Sequence, residues 1–252
     1  MGIWTRITWK PIIVTLVWAA LSVSAFAADT PPMRSAPIWN RTGIYVGGNI
    51  GGLRFQSRDW TVRTPGGAFY GQSIGSHDAN GWIGGIHVGY HYQFAKGFLI
   101  GLQGDYAWGD ASGNHDSERE TGVAYHSKVK SLATITGRLG YAVNRLLGYI
   151  RGGVAWERND FWATTTILGT AYTADATLLG WTLGAGAEYA FTQRLFGFIE
   201  YDYYDFGTRN IAFTPQVSGL PTGYLDITQT TSAVRIGVSY RFGGSAASVT
   251  VP

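Results

Sequence analysis

The sequence predicts an all-β protein, an eight-stranded antiparallel up-and-down transmembrane β-barrel, and three observations support this fold class. Apolar and polar residues alternate with period two from Gly43 onward, short and long connections alternate along the chain, and aromatic residues recur ten positions apart on one face of single segments. A period of two indicates strands whose two faces meet different environments.

The composition favours a membrane barrel over a soluble domain. Charged residues make up 14% of the 252 residues, against about 25% in an ordinary soluble domain, and there are 36 glycines. The mean hydropathy is nevertheless close to zero, because apolar residues are dispersed along the chain. The chain has no cysteine, so an exported form of it must be stabilised without disulfides.

The N-terminus has the features of an export signal. Arg6 and Lys10 precede an apolar run that ends in Ala25-Phe26-Ala27, a small-x-small cleavage pattern. We expect residues 1–27 to be a cleaved signal peptide, with an uncleaved membrane anchor as the alternative. Residues 28–42 carry prolines without periodicity and are predicted to be a flexible segment.

The charge of the mature chain argues against a nucleic-acid partner. Cleavage removes two basic residues, from 19 to 17, against 16 acidic ones, which leaves a net charge of +1. No basic run or stripe accompanies the high pI of the full sequence, so no electrostatic footprint for nucleic acid is present.

Eight alternating segments are predicted as strands. They cover residues 43–56, 80–94, 98–111, 126–143, 146–158, 176–191, 195–208 and 228–242. The tight turns between them are 95–97, 144–145 and 192–194, and the long polar loops are 57–79, 112–125, 159–175 and 209–227. All short turns therefore fall at one end, as in outer-membrane barrels with periplasmic turns and extracellular loops. We expect the barrel to span 43–242, with 243–252 as a short C-terminal tail.

Aromatic spacing indicates which face meets lipid. Three pairs lie ten residues apart on an apolar face: Trp82 and Tyr92, Phe98 and Trp108, Trp181 and Phe191. Ten residues at ~3.3 Å each, tilted by about 40°, span about 25 Å, the height of the lipid-facing band. We predict that these residues, with Tyr240 and Phe242, form the two interfacial aromatic girdles. A soluble sandwich with aromatic strand ends is the alternative.

The opposite face carries charged side chains, which the alternation places in the lumen. The predicted lumen ion-pair network consists of His87, Asp105, Arg138, Arg151, Glu188, Glu200, Asp202 and Arg235. An eight-stranded barrel is just wide enough inside for side chains to fill it. The network is either a plug that stabilises the barrel or a charged gate in a narrow conduction path. We favour the plug, because wide aqueous channels need about 16 strands.

The tight turns also predict strand register. The turn between the second and third strands places His87 opposite Asp105, and we expect these two side chains to pair. The turn between the fourth and fifth strands places Arg138 against Arg151, which is unfavourable unless a glutamate of the sixth or seventh strand reaches between them.

No catalytic, cofactor or metal site is predicted. His87 and His91 stand about 13 Å apart along one strand, too far to share a metal ion. The other histidines are expected to be solvated, in predicted loops or at loop edges: His77, His115 and His126. His126 and Ser127 are adjacent in a strand and point to opposite faces, so they cannot act together as base and nucleophile.

Five stretches resemble a known family: WNRTGIYVGGNIGG, LGYIRGGVAW, GWTLGAGAEYAF, EYDYYDFGT and SAVRIGVSYRF. They are similar to the outer membrane immunogenic protein family of alphaproteobacteria, a group of porin-like surface antigens, from about residue 38 to residue 242. The resemblance implies an OmpA-like barrel in the Gram-negative outer membrane, with no common catalytic residues. One departure is that GGSAASVTVP follows Phe242, whereas such barrels usually end at the final aromatic residue.

These features predict an integral outer-membrane barrel with a mainly structural and surface-antigen role. The alternatives are a small porin for ions or small solutes, and an adhesin or binding protein that acts through the long extracellular loops. The expected partners are outer-membrane lipids, lipopolysaccharide and the barrel assembly machinery, with a host or cell-surface partner of the loops as a further candidate. We expect a monomer without a cofactor.

Overall fold

A computed structural model describes residues 39–66, 69–94, 97–118, 121–166, 169–216 and 222–242. Within them, eight antiparallel strands form a closed barrel in which each strand pairs with its sequence neighbours and the last strand pairs with the first. The predicted fold class is confirmed. The predicted signal peptide, residues 28–38 of the predicted flexible segment and the predicted C-terminal tail lie outside the described residues. Within the described ranges, no helix is long and apolar enough to cross a membrane.

The strands are longer than predicted at one end. Their bounds are β1 (Gly43–Val62), β2 (His77–Gln93), β3 (Phe98–Asp116), β4 (Val123–Val143), β5 (Leu146–Thr165), β6 (Gly169–Ala190), β7 (Leu195–Pro215) and β8 (Gly223–Phe242). The strand ends at the short turns match the prediction to within one residue, but the opposite ends extend three to seven residues further. Large parts of the predicted loops are therefore strand.

The short turns set the predicted registers. His87 pairs with Asp105 across β2 and β3, and Arg138 pairs with Arg151 across β4 and β5, so both registers are confirmed. Asn144 in the β4–β5 turn has a φ of 53°, a left-handed conformation that asparagine adopts more readily than most residues.

A band of outward-facing apolar side chains surrounds the barrel near the short turns. Trp82 is 73% exposed, which fixes its position on the outer wall. The predicted girdle residues are all exposed on that wall: Trp82, Tyr92, Phe98, Trp108, Trp181, Phe191, Tyr240 and Phe242. Between the two aromatic levels most outward positions are aliphatic, as in Ile86 and Val88. A surface of this kind is stable only against lipid.

Beyond the upper girdle, the alternation continues but the two faces exchange character. In β5, Ile150 and Trp156 point outward and Arg151 points inward. Further along the same strand, Arg158 is exposed and Phe161 is buried. The extracellular half is thus built like a soluble barrel, apolar inside and polar outside, which explains why polar sequence there forms strand and not loop.

Trp60 is the centre of this extracellular core. It is 0% exposed and belongs to a buried apolar cluster contributed by all eight strands. Its ring centroid lies 5.4 Å from that of Tyr125, 5.6 Å from that of Phe161 and 6.1 Å from that of Phe213. These side chains pack together inside the extracellular half of the barrel.

Replacing Ile86 with arginine tests the lipid-facing band. Ile86 lies midway between the girdle residues Trp82 and Tyr92, so we expect a loss of about 2–4 kcal/mol in the free energy of unfolding, measured with urea in lipid vesicles. Asn114→Arg, at an exposed position beyond the band, is the control and should change stability by about 0.5 kcal/mol or less. Equal effects of the two variants would contradict the assignment of the band.

Candidate functional site in the barrel lumen

Six charged side chains meet in the middle of the lumen. The central network consists of Asp105, Arg138, Arg151, Glu200, Asp202 and Arg235. Each is at most 7% exposed, and three guanidinium groups face three carboxyl groups. Alternation places them inward because they occupy the parity opposite to the lipid-facing residues of their strands.

Glu200 is the most connected member of the central network. Its Oε2 accepts hydrogen bonds from Arg138 Nη2 and from the Tyr149 hydroxyl, both at 2.8 Å. Its Oε1 accepts from Arg151 Nη1 at 2.6 Å and from Arg235 Nη2 at 2.8 Å. Glu200 therefore supplies negative charge between Arg138 and Arg151, which lie opposite each other in the sheet.

The central network joins opposite walls of the barrel. Arg151 of β5 donates to Asp105 of β3 at 2.7 Å and to Glu200 of β7 at 2.6 Å. Arg235 of β8 donates to Asp202 at 2.6 Å and lies 3.5 Å from Asp105. Because β3 and β7 are four strands apart in a ring of eight, these bonds cross the lumen.

His87 does not join the ion pairs. Its ring nitrogens lie 2.9 Å from Ser239 Oγ and 3.5 Å from Asn49 Nδ2. The predicted pairing of His87 with Asp105 is therefore wrong, although the two residues are opposite in register. Asp105 turns toward Arg151 instead, because a guanidinium gives stronger, charge-assisted hydrogen bonds.

Glu188 belongs to a separate group at the short-turn end, which is periplasmic in such barrels. Its Oε1 lies 2.5 Å from Arg41 Nη1, and both side chains are buried. Arg41 also donates to the Arg145 carbonyl at 2.6 Å, and its backbone N–H donates to Gln93 Oε1 at 2.8 Å. The residues just before β1 thus lie in the periplasmic mouth of the barrel. No periodic pattern predicted this role of Arg41, because it lies in a stretch without alternation.

Glu157 occupies a third layer, on the extracellular side of the central network. It is 0% exposed and accepts hydrogen bonds at 3.0 Å from Asn159 Nδ2 and Thr231 Oγ1, and a further one from Gln229 Nε2. These partners are uncharged, so hydrogen bonds and not an ion pair hold this carboxyl group.

A histidine and serine cluster lies beneath Trp60. His77 Nε2 is 2.6 Å from Ser127 Oγ, and His77 Nδ1 is 2.9 Å from His115 Nδ1. The expectation that His77 and His115 are solvated is wrong, since His77 is buried and His115 is half-buried. The strand extensions turn both rings inward. His126 is half-buried too, and stacks on Trp162 at 5.1 Å.

Burial governs the protonation of this cluster. It lowers the pKa of His77 to about 4, and the neighbouring His115 lowers that pKa further. Burial also lowers the pKa of His115, against the opposing charges of Glu118 and Asp116. Two neutral rings can share one N–H between their Nδ1 atoms, whereas two protonated rings would repel each other. Among the residues described, no group of three or more His, Cys, Asp or Glu side chains is arranged to hold a metal ion.

Comparison with known proteins shows the family to which this chain belongs. Residues 13–242 match the model of the outer membrane protein β-barrel domain. The chain belongs to this family. The 31 kDa outer-membrane immunogenic protein of Brucella melitensis is 30% identical over 249 residues, covering 92% of this chain and 100% of that protein. The 25 kDa outer-membrane immunogenic protein of Brucella abortus is 25% identical over 244 residues, covering 92% and 97%. The family resemblance predicted from sequence is confirmed.

Solved structures show the same fold. The outer membrane protease OmpT from Escherichia coli has a TM-score of 0.52 at 10% identity, covering 79% of this chain and 97% of that one. OprG from Pseudomonas aeruginosa has a TM-score of 0.50 at 13% identity, covering 81% and 98%. At these identities the likeness concerns fold alone. Together with the family match, it places the protein in the Gram-negative outer membrane, as predicted.

Replacing Arg151 with methionine tests the central network. The variant leaves Asp105 and Glu200 each without one of its buried cations, so we expect a loss of about 3–5 kcal/mol in the free energy of unfolding in detergent micelles. Arg54→Gln, which breaks an exposed pair with Asp78, should cost about 1 kcal/mol or less. A loss as small as that of Arg54→Gln would refute the structural importance of the network.

The histidine cluster predicts acid sensitivity of the extracellular half. The unfolded chain takes up protons on its histidines below pH 6.5, whereas folded His77 stays neutral down to about pH 4. Its stabilising contribution is therefore present above pH 6.5 and is lost as the pH falls toward 4, by roughly 3 kcal/mol for His77. Urea unfolding between pH 7 and pH 4 should show this loss, and His77→Phe should make the total loss smaller by roughly 3 kcal/mol. Arg158→Gln, at an exposed position of the same half, is the control and should keep the wild-type pH dependence; an unchanged dependence in His77→Phe would contradict the assignment.

Proposed function

We propose that this protein is a structural and surface-exposed antigen of the outer membrane whose lumen is closed to solutes. The observation that carries the proposal is the bonding of Arg151 to both Asp105 and Glu200, which ties opposite walls together across the lumen. Arg41 on the periplasmic side and Trp60 on the extracellular side add two further obstructions. A solute would have to displace buried, paired charges, which costs several kcal/mol for each ion that loses its partner.

The antigenic part of the proposal rests on the extracellular half of the barrel and on the named relatives. The strands extend beyond the upper girdle and present polar side chains to the outside, such as Arg158 and Asn114. The two Brucella relatives are called immunogenic outer-membrane proteins, and they align with this chain over 92% of its length. A rigid, polar, exposed rim is a surface that other molecules can contact.

A non-catalytic role is part of the proposal. Ser127 has a histidine partner in His77, but Ser127 is 1% exposed and the Trp60 ring packs on the His77 ring at 5.6 Å. A nucleophile must reach the reacting atom of its substrate, and this one is covered. The cluster is better suited to holding β2, β3 and β4 together above the membrane.

Lipopolysaccharide is the proposed lipid partner. The basic side chains exposed on the outer wall beyond the aromatic girdle include Arg54, Lys130, Arg158 and Arg209. Arg54 and Lys130 are paired with Asp78 and Asp160. Arg158 lies two residues past the outward-facing Trp156, at the level where the phosphates of an outer leaflet begin. Guanidinium and ammonium groups are suited to bind such phosphates.

Conductance in planar bilayers tests the closed lumen. We expect the folded wild-type protein to show no steady openings, because the buried ion pairs hold the walls together. Removing the central charge in Glu200→Ala should loosen the network and produce small, unsteady currents, whereas Arg54→Gln should behave as the wild type. Large, steady wild-type openings that disappear in Arg138→Ala or Glu200→Gln would overturn the proposal in favour of a small porin.

A further inference from the structure

The lumen charges are not balanced at the periplasmic end. The central network has three guanidinium groups and three carboxyl groups. Among the described residues, the periplasmic layer has two buried arginines, Arg41 and Arg241, and one buried acid, Glu188. Glu188 is hydrogen-bonded to Arg41. Arg241 is left with the distant attraction of that carboxylate and the repulsion of Arg41.

The free atoms of Arg241 lie on one edge of its guanidinium. Arg241 is 1% exposed, and its Nη1 donates to the Asn40 carbonyl at 2.8 Å. Its Cζ lies 4.0 Å from the centre of the Phe196 ring. No acceptor in the described part of the chain contacts its Nε or its Nη2. These two nitrogens point the same way, as the fork that binds two oxygens of a carboxylate or a phosphate.

His91 supplies a further unused ring N–H on the same wall. Arg241 packs its side chain against Gly43, and Gly43 lies opposite His91 on the neighbouring strand. His91 is 1% exposed and stacks on Tyr45 at 4.3 Å, and neither of its ring nitrogens has a partner among the described residues. The charges of both Arg41 and Arg241 act on this ring.

A buried arginine cannot escape its charge by losing a proton, because its guanidinium stays ionised in proteins. An unpaired buried ion costs several kcal/mol, which a counter-ion of the right shape would offset. Glu157 differs in this respect, since a carboxyl group among neutral partners can simply take up a proton.

We propose that Arg241, with His91 and Arg41 beside it, binds an oxyanion at the periplasmic end of the lumen. The ligand presents two oxygens to the Nε and Nη2 edge of Arg241 and a third acceptor to His91. A carboxylate or a phosphate has this chemistry, and it comes from a free periplasmic anion or from a lipid headgroup. The bound anion completes the periplasmic closure by balancing the charge that Glu188 leaves over.

Anion-dependent stability tests the site. The full mature chain, folded in an uncharged maltoside detergent without lipid, is heated in sodium phosphate and in sodium chloride of equal ionic strength. We expect phosphate at about 100 times its Kd to raise the midpoint of heat unfolding by roughly 5 °C or more. Calorimetric titration with inorganic phosphate should give one site per chain.

Two variants locate the effect. Arg241→Lys keeps the charge but loses the fork, so its phosphate affinity should fall about tenfold or more. Arg54→Lys changes an exposed arginine in the same way and should keep the wild-type affinity. The lysine variant retains the positive charge, so it serves as the deciding variant even where an uncharged replacement of Arg241 does not fold.

Three outcomes decide the proposal. Equal wild-type midpoints in phosphate and chloride, with no heat of binding and no response to added phospholipid, would overturn it. A phosphate effect of undiminished affinity in Arg241→Lys would place the site elsewhere and overturn it as well. A midpoint that rises only when phospholipid is added, and does so less in Arg241→Lys, would support the site and assign its ligand to a lipid phosphate.

Discussion

The closed ring of backbone hydrogen bonds is the constraint on which the rest of the structure depends. Hydrocarbon offers no partner for an exposed N–H or C=O group, so a sheet can cross the membrane only without edges, and here the pairing of β1 with β8 removes them. Closure with eight strands also fixes the width of the lumen. That width brings Asp105 and Glu200, from opposite walls, within reach of the same guanidinium group of Arg151.

The strands show the membrane boundary as a change in which face of the sheet is apolar. A single unbroken alternation runs through β5, yet Trp156 separates a region with apolar residues outside from a region with apolar residues inside. The lumen follows the same division: it is charged at membrane level and aromatic above it, around Trp60. Each half therefore has its own source of stability, ion pairs and lipid contact below, and the hydrophobic effect above.

Sequence patterns predicted the parts of the structure that depend on parity and on turn length. Strand number, the facing of residues such as Trp82 and the pairing of Arg138 with Arg151 follow from an alternation that holds from one tight turn to the next. The like charges of Arg138 and Arg151 also predicted a bridging glutamate, which is Glu200. The individual partners of the other lumen side chains do not follow from periodicity. Register shows which residues lie opposite each other, but it does not show that Asp105 bonds to Arg151 and not to His87. Arg41 and the contact of His77 with Ser127 join positions that no periodic pattern relates.

The central network also bears on how the barrel comes apart. Its members come from β3, β4, β5, β7 and β8, so the complete set of bonds, which includes the pair of Arg235 with Asp105, requires the closed ring. Interactions that form after the folding barrier add little to the folding rate but must all be broken on the way out. The central network is therefore expected to slow unfolding more than it speeds folding. The resistance of the barrel to unfolding then depends on the unfolding rate as well as on the free energy of unfolding.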